Sequence, residues 1–182
     1  MKNKCLTHIK NSLAVLALSA SGLCTTAMAN DSSARALIYD LNGQRIGSAT
    51  FLEKNDQKIL IRVNVHGMSP GFHGMHIHTT GDCTPPFSSA GGHFDLDGHT
   101  HRDHAADLPV LLVNADGSAR VTLETDRFKL ADLFDADGSA IIIHANPDNY
   151  ANIPTRYVAS PDASTLDTGD AGPRIACGVL NQ

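Results

Sequence analysis

Between Ala34 and Leu180 the apolar positions recur in short runs broken by turn residues, a texture of strands rather than helices. Ala34 to Leu41 is apolar-rich and stops at Asn42-Gly43, a strong hairpin signal; Arg45 to Glu53 reads as the returning strand. Lys58 to Val65 is rich in β-branched residues. Met68 to Gly71 reads as a turn and Gly74 to His78 as a further extended stretch. Strands resume at Val110 to Asn114 and, beyond Asp116-Gly117, at Ser118 to Glu124, where Ala119, Val121 and Leu123 alternate with polar residues. Arg127 to Phe134 has room for one or two helical turns. Asp137-Gly138 then turns into Ala140 to His144, a buried strand ending on a histidine, and Ile175 to Leu180 closes the chain. Many short strands with almost no helix predict an antiparallel barrel or sandwich.

Two stretches break this pattern. From Thr79 to Asp107 glycine, proline, aspartate, serine and histidine dominate, and Asn146 to Gly172 is equally irregular. Loops this long in a compact domain are functional or disordered, and the first carries a cysteine and a crowd of histidines. The amino end is different again. Lys2, Lys4 and Lys10 precede an apolar run from Leu13 to Leu18 and then Ala27-Met28-Ala29, a small-x-small cleavage pattern. Residues 1–29 therefore read as a secretory signal, with an apolar run too short to remain as a membrane span. Cys24 raises a lipid anchor, but Leu23 before it is large where such sites want a small residue. The remaining 30–182 segment has the length of one domain.

Composition narrows the function. Three of the fourteen basic residues leave with the signal and all nineteen acidic ones stay, so the formal charge moves from −5 to −8. The sequence shows no basic patch for nucleic acid and no further membrane segment. An anionic substrate would need a local positive charge at its site. Cys83 and Cys177 are the cysteines left after the signal, and in an exported chain they read as one disulfide, two unpaired buried thiols being the alternative. Closing so long a loop would contribute ~4 kcal/mol on the chain-entropy model.

The histidines carry the chemistry. Residues i and i+2 of a strand share a face, so His76 and His78 present two imidazoles side by side with Ile77 opposite. Such a pair alone is a weak signal. It gains weight from His93 in the turn Ala90-Gly91-Gly92-His93 and from His144, which ends an apolar strand where an unpartnered polar group would be costly. An all-nitrogen set favours copper or zinc. A second set, His101, His104 and Asp107 with His99 in reserve, mixes nitrogen and oxygen donors as zinc prefers. A merely solvated loop is its plainer reading. His93 could join the two sets if both its ring nitrogens bound metal. His73 is out of phase with His76 and His78 and reads as a hydrogen-bonding structural residue; His66, at a strand end, reads as surface or structural. Asp148 is either a carboxylate accepting from ligand histidines or a turn residue. Arg174 is either a surface arginine or a positive charge at the mouth of the site.

Taken together these motifs resemble the copper/zinc superoxide dismutases in their exported bacterial form. The resemblance is carried by Gly71-Phe72-His73-Gly74-Met75-His76-Ile77-His78, Gly81-Asp82-Cys83, Ser89-Ala90-Gly91-Gly92-His93-Phe94, Asp107-Leu108-Pro109, Ile143-His144-Ala145-Asn146-Pro147-Asp148, and Gly169-Asp170-Ala171-Gly172-Pro173-Arg174 through Cys177-Gly178-Val179. It implies an all-β fold, an eight-stranded Greek-key β-barrel with two long functional loops. It implies dismutation of superoxide to oxygen and hydrogen peroxide by copper redox cycling in the periplasm or outside the cell, with copper and zinc as cofactors. His76, His78, His93 and His144 match the copper ligands, and His93 also matches the bridge to zinc, with His101, His104 and Asp107 completing the zinc set. Cys83 and Cys177 match the family disulfide, Arg174 the arginine that guides superoxide, and Asp148 the aspartate linking a copper histidine to a zinc histidine. The departure is the zinc loop, where His101 and His104 stand only three residues apart, closer than the family spacing. Some exported relatives with a short loop here have lost zinc and run on copper alone; this chain has a short loop yet retains histidines, so it sits between the two patterns.

Two other functions compete. A periplasmic copper or zinc buffer would use the histidines but has no need of Arg174. A copper chaperone would add a metal-transfer domain with paired cysteines, and none is visible. The barrel surface leaves a homodimer open.

Overall fold

The computed structural model describes residues 32–54 and 57–182; the expected signal over 1–29, with Cys24, lies outside them. Nine strands form, all antiparallel: β1 (Ser33–Asp40), β2 (Arg45–Glu53), β3 (Ile59–Val65), β4 (Gly71–His73), β5 (Met75–His78), β6 (Leu111–Val113), β7 (Ala119–Thr125), β8 (Ala140–His144) and β9 (Arg174–Asn181). Alternation builds them. In β3, Ile59, Ile61, Val63 and Val65 are buried while Arg62 and Asn64 face out. The β1–β2 hairpin turns at Gly43 in the left-handed region (φ 74°), with Gly43 N–H donating to the Asp40 carbonyl.

Seven strands form one curled sheet in the order β5-β8-β9-β1-β2-β3-β7, and β4 pairs with β6 in a ribbon. After the β1-β2-β3 meander the chain crosses to β4 and β5, returns to place β7 beside β3, and crosses again to insert β8 beside β9, a Greek-key order. The eight strands expected from the resemblance become nine segments because one is divided at Gly74: Phe72 pairs with Leu112 of the ribbon, His76 with Ile142 of the sheet. Close packing keeps that position bare, since a Cβ on Gly74 would stand 2.7 Å from the Ala171 Cβ. The expected helical turn is a 3₁₀ turn, Leu130–Leu133.

The main core lies inside the curl and includes Ile38, Phe51, Ile61, Met75, Ile77 and Ile141, all fully buried; each is worth about 1.5–3 kcal/mol in burial alone. A second cluster on the other face of β8 and β9 packs Phe87 and Ala90 of the first long loop on Ala140, Ile142 and Cys177. Those contacts seat the loop against the sheet. The second loop contains one short helix, α1 (Ala163–Thr168), capped by the Asp162 side chain, which accepts from Thr165 N–H. The two loops join where His101 N–H donates to the Leu166 carbonyl at 2.6 Å. No described helix is long and apolar enough to cross a membrane.

Candidate metal centre

His76 and His78 sit on β5, His144 ends β8, and the first loop brings His93 to a bridge with His78 and Asp107 to one with His76. The register of β5 on β8 fixes three of the four imidazoles before the loop adds the fourth. One nitrogen of each ring is tied by its surroundings. His76 Nε2 donates to Asp148 Oδ2 at 2.7 Å, His78 Nδ1 to the Gly91 carbonyl at 3.0 Å, and His144 Nδ1 to the Gly172 carbonyl at 2.9 Å. His93 Nδ1 lies 2.9 Å from Asp107 Oδ1. The other nitrogens converge: one ligand atom from each of His76, His78, His93 and His144 lies within 4.8 Å of all the rest. Among them, His78 Nε2 and His144 Nε2 stand 3.4 Å apart, about the separation of two nitrogens held at roughly 2.0–2.1 Å by one tetrahedral metal.

The second cluster surrounds Asp107. Its Oδ1 lies 2.9 Å from His93 Nδ1 and 3.2 Å from both His101 Nδ1 and His104 Nδ1. The short His101–His104 interval reaches this point because the chain turns sharply at Arg102, in the left-handed region (φ 67°). His101 Nε2 reaches Asp148, 2.8 Å from Oδ1 and 2.9 Å from Oδ2. His99 does not join: its half-exposed ring contacts Asp95 Oδ1 at 3.1 Å. His73 has its ring nitrogens against the His144 and Ser69 carbonyls at 2.7 and 2.9 Å, the structural role expected of it.

Among the described residues, three buried ring nitrogens have no hydrogen-bond partner: His76 Nδ1, His93 Nε2 and His101 Nδ1. The last is near Asp107 but out of line for a hydrogen bond. Orphaned buried polar atoms are costly, and these three aim into the two clusters. A metal ion satisfies such lone pairs, so the residues fit one ion in each cluster.

The electrostatics agree. Burial pulls His93 down to about 4 against the Asp107 hydrogen bond, and His144 down to about 3 with help from His76. Burial likewise lowers His76, despite Asp148, and holds His78 well below the ordinary range. Neutral imidazole is the form that binds metal. His101 goes the other way. Burial opposes its charge, but the adjacent Asp107 carboxylate and the hydrogen bond to Asp148 outweigh that and raise it to about 9. Both carboxylates fall well below their ordinary value, since the adjacent imidazoles, His101 foremost, overcome the cost of burial.

His78, His93 and His144 open onto a cleft of about 310 Å³ that also holds Thr168, Asp170 and Arg174. Arg174 is fixed from behind, donating through Nη1 to the Phe87 carbonyl (2.6 Å) and through Nη2 to the Gly91 carbonyl (2.5 Å). Gly91 thus accepts from both Arg174 and His78. Three residues further on, Cys177 forms the disulfide to Cys83 (Cα–Cα 5.6 Å) and fastens β9 to the loop that carries those carbonyls.

A family model described as copper/zinc superoxide dismutase matches residues 45–180. The chain belongs to that family. A superoxide dismutase [Cu-Zn] of Mycobacterium tuberculosis is 42% identical over 158 residues, which is 76% of this chain and 66% of that protein. One from Deinococcus radiodurans is 34% identical over 188 residues, covering 92% of this chain and 96% of its own. The solved structure of a SOD-like protein from Bacillus subtilis superposes with a TM-score of 0.66 at 31% identity, covering 81% of this chain and 97% of that one. The family's metals suit the two donor sets: four imidazoles for copper, imidazoles with a carboxylate for zinc.

Sequence reasoning missed several groups here. The Phe87 and Gly91 carbonyls are backbone and invisible in residue types. Thr168 and Asp170 enter the cleft through α1 and the turn after it. Gly169, between them, is left-handed (φ 59°), and a Cβ there would overlap Asp148 Oδ1 and His101 Nε2; its position just past a capped helix is the signal that could have marked it.

Proposed function

We propose that this chain is an exported superoxide dismutase in which His76, His78, His93 and His144 hold copper, and His93, His101, His104 and Asp107 hold zinc. When bound, copper supplies the reversible one-electron chemistry that turns two superoxide anions and two protons into oxygen and hydrogen peroxide, and zinc supplies a fixed positive charge with no redox role. The protein does the rest. Arg174 draws the anion into the cleft and orients it, a task that a chain near −8 cannot leave to its overall field. Asp148 and the Gly91 and Gly172 carbonyls fix ring orientation and tautomer. His93 Nε2, buried with no hydrogen-bond partner among the described residues, is the atom that would hold and hand on a proton while Nδ1 stays beside Asp107. Residues 1–29 direct export to the periplasm or beyond and are removed, leaving 30–182.

The observation that carries this reading is the opening of the imidazole cluster into the same cleft as a braced arginine. A copper or zinc buffer would need the ligands but not Arg174 above them. The test is metal analysis of the mature protein and of His101→Ala/His104→Ala. The expected result is copper and zinc in the wild type and copper alone in the variant. Equal zinc in both would remove the second site.

A further inference from the structure

The sequence shows no basic patch, yet β-sheet register assembles one. Across β9, β1, β2, β3 and β7 the outward positions align in a row: Asn181, Arg35, Thr50, Arg62, Thr122. The adjoining row carries Ser48, Asn64 and Arg120. Arg35, Arg62 and Arg120 are exposed, and none forms an ion pair among the described residues. Glu124, on the same face, is paired with Lys54 at 2.8 Å. Three unpaired guanidiniums on one face are unexpected in a chain whose segment 30–182 carries −8, because a surface of mixed charge would pair or disperse them.

Arg35, Tyr39, Thr50, Leu52, Arg62 and Asn181 line one concavity of about 880 Å³, within the range of small-ligand sites. We propose that this face binds an acidic polysaccharide. Two arginines on strands two apart stand about 10 Å from each other at the backbone, with the Thr50 hydroxyl between them. That arrangement offers planar, bidentate donors to carboxylate or sulfate groups and neutral donors to the sugar hydroxyls between. Tyr39, 37% exposed, gives the apolar face of a sugar ring an aromatic surface to pack on. An anionic membrane fits less well: the apolar side chains here, Leu37 and Leu52, are half-buried rather than projecting, so no apolar anchor stands out to enter a lipid surface. The three arginines lie on β1, β3 and β7, with β9 between them and β5 and β8, which carry His76, His78 and His144. Polymer held there leaves the cleft open, so the chain can be retained on an acidic matrix while it turns over.

The test passes mature, metal-loaded protein over immobilised dextran sulfate and over uncharged dextran at low salt, with polygalacturonate as the eluting competitor. Wild type should be retained on the sulfated matrix alone and released by polygalacturonate and by salt. Arg35→Glu/Arg62→Glu should bind at least tenfold more weakly, Arg35→Gln/Arg62→Gln by an intermediate amount, and Tyr39→Ala severalfold more weakly, all with unchanged dismutation rates and thermal midpoints. Absence of wild-type retention, or equal retention of the double variants, would overturn the proposal. So would equally tight binding to phosphatidylglycerol vesicles that ignores Tyr39→Ala, because the ligand would then be a lipid surface.

Discussion

His76 and His101 meet at one carboxylate: their Nε2 atoms lie 2.7 and 2.8 Å from the two oxygens of Asp148, while their Nδ1 atoms are buried with no hydrogen-bond partner among the described residues. The orientation of a ring on a rigid strand is thereby tied to that of a ring on a loop. Tyr150 N–H also donates to Asp148 at 2.6 Å, so the carboxylate is fully used.

Asp148→Asn tests this tie. An amide keeps one acceptor oxygen but replaces the other with an NH2 donor, which would face an N–H where Asp148 now accepts, and it loses the charge that both rings lean on. His76 is held by its strand register, so the loop residue His101 should lose its partner. Zinc affinity should fall about 10–100-fold and copper affinity less, read by titration against a competing chelator. An equal loss at both sites would contradict the asymmetry.

Gly169→Ala changes no ligand, yet should release zinc. The left-handed backbone costs about 1–2 kcal/mol with a side chain, and the new Cβ falls on the Asp148–His101 contact. Gly43→Ala is the control, since it has a comparable φ of 74° and open space around it. Both variants should lose thermal stability, but only Gly169→Ala should lose zinc.

Metal-free protein should be most stable near pH 6.5. His101 is raised to about 9, so its stabilising charge is fully present below 6.5 and is lost as pH climbs through about 9. His93 and His144, lowered to about 4 and about 3, act oppositely: their folded forms resist protonation, so stability falls as pH drops below 6.5. Depression of Asp107 and Asp148 adds a further loss below the ordinary carboxylate value. Urea midpoints across pH should trace this peak, and His101→Gln should flatten its alkaline side most and lessen the carboxylate loss at low pH.

Arg174→Glu should lower kcat/KM by two orders of magnitude or more while both metals stay bound, because the guanidinium touches carbonyls and no imidazole is among its hydrogen-bond partners. Added salt should slow the wild type by screening the attraction. A wild-type rate indifferent to salt would remove the steering role.

Much of this was legible in the sequence for local reasons. Arg45–Glu53 and Ala140–His144 form strands at the predicted bounds because alternation and β-branching act within a few residues. The phase of His76 and His78 follows from the two-residue period of a strand. What escaped is what depends on distant partners. Gly71 reads as the end of a turn, with Phe72 and His73 assigned to no element, and the three become a strand only because Leu111–Val113 arrives beside them. A six-residue helix, Ala163–Thr168, is too short for a periodic signal, yet it supplies the carbonyl that pins His101. The choice between His99 and His101 depended on the Arg102 turn, which no residue type announces.

The most direct measurement is the decay of superoxide after rapid mixing with copper-loaded and copper-free mature protein. Catalytic decay is expected, with many superoxide anions consumed per copper by the loaded protein and none above the spontaneous rate without copper. Consumption that stops at one equivalent per bound copper would contradict the dismutase reading and leave a metal-binding protein in its place.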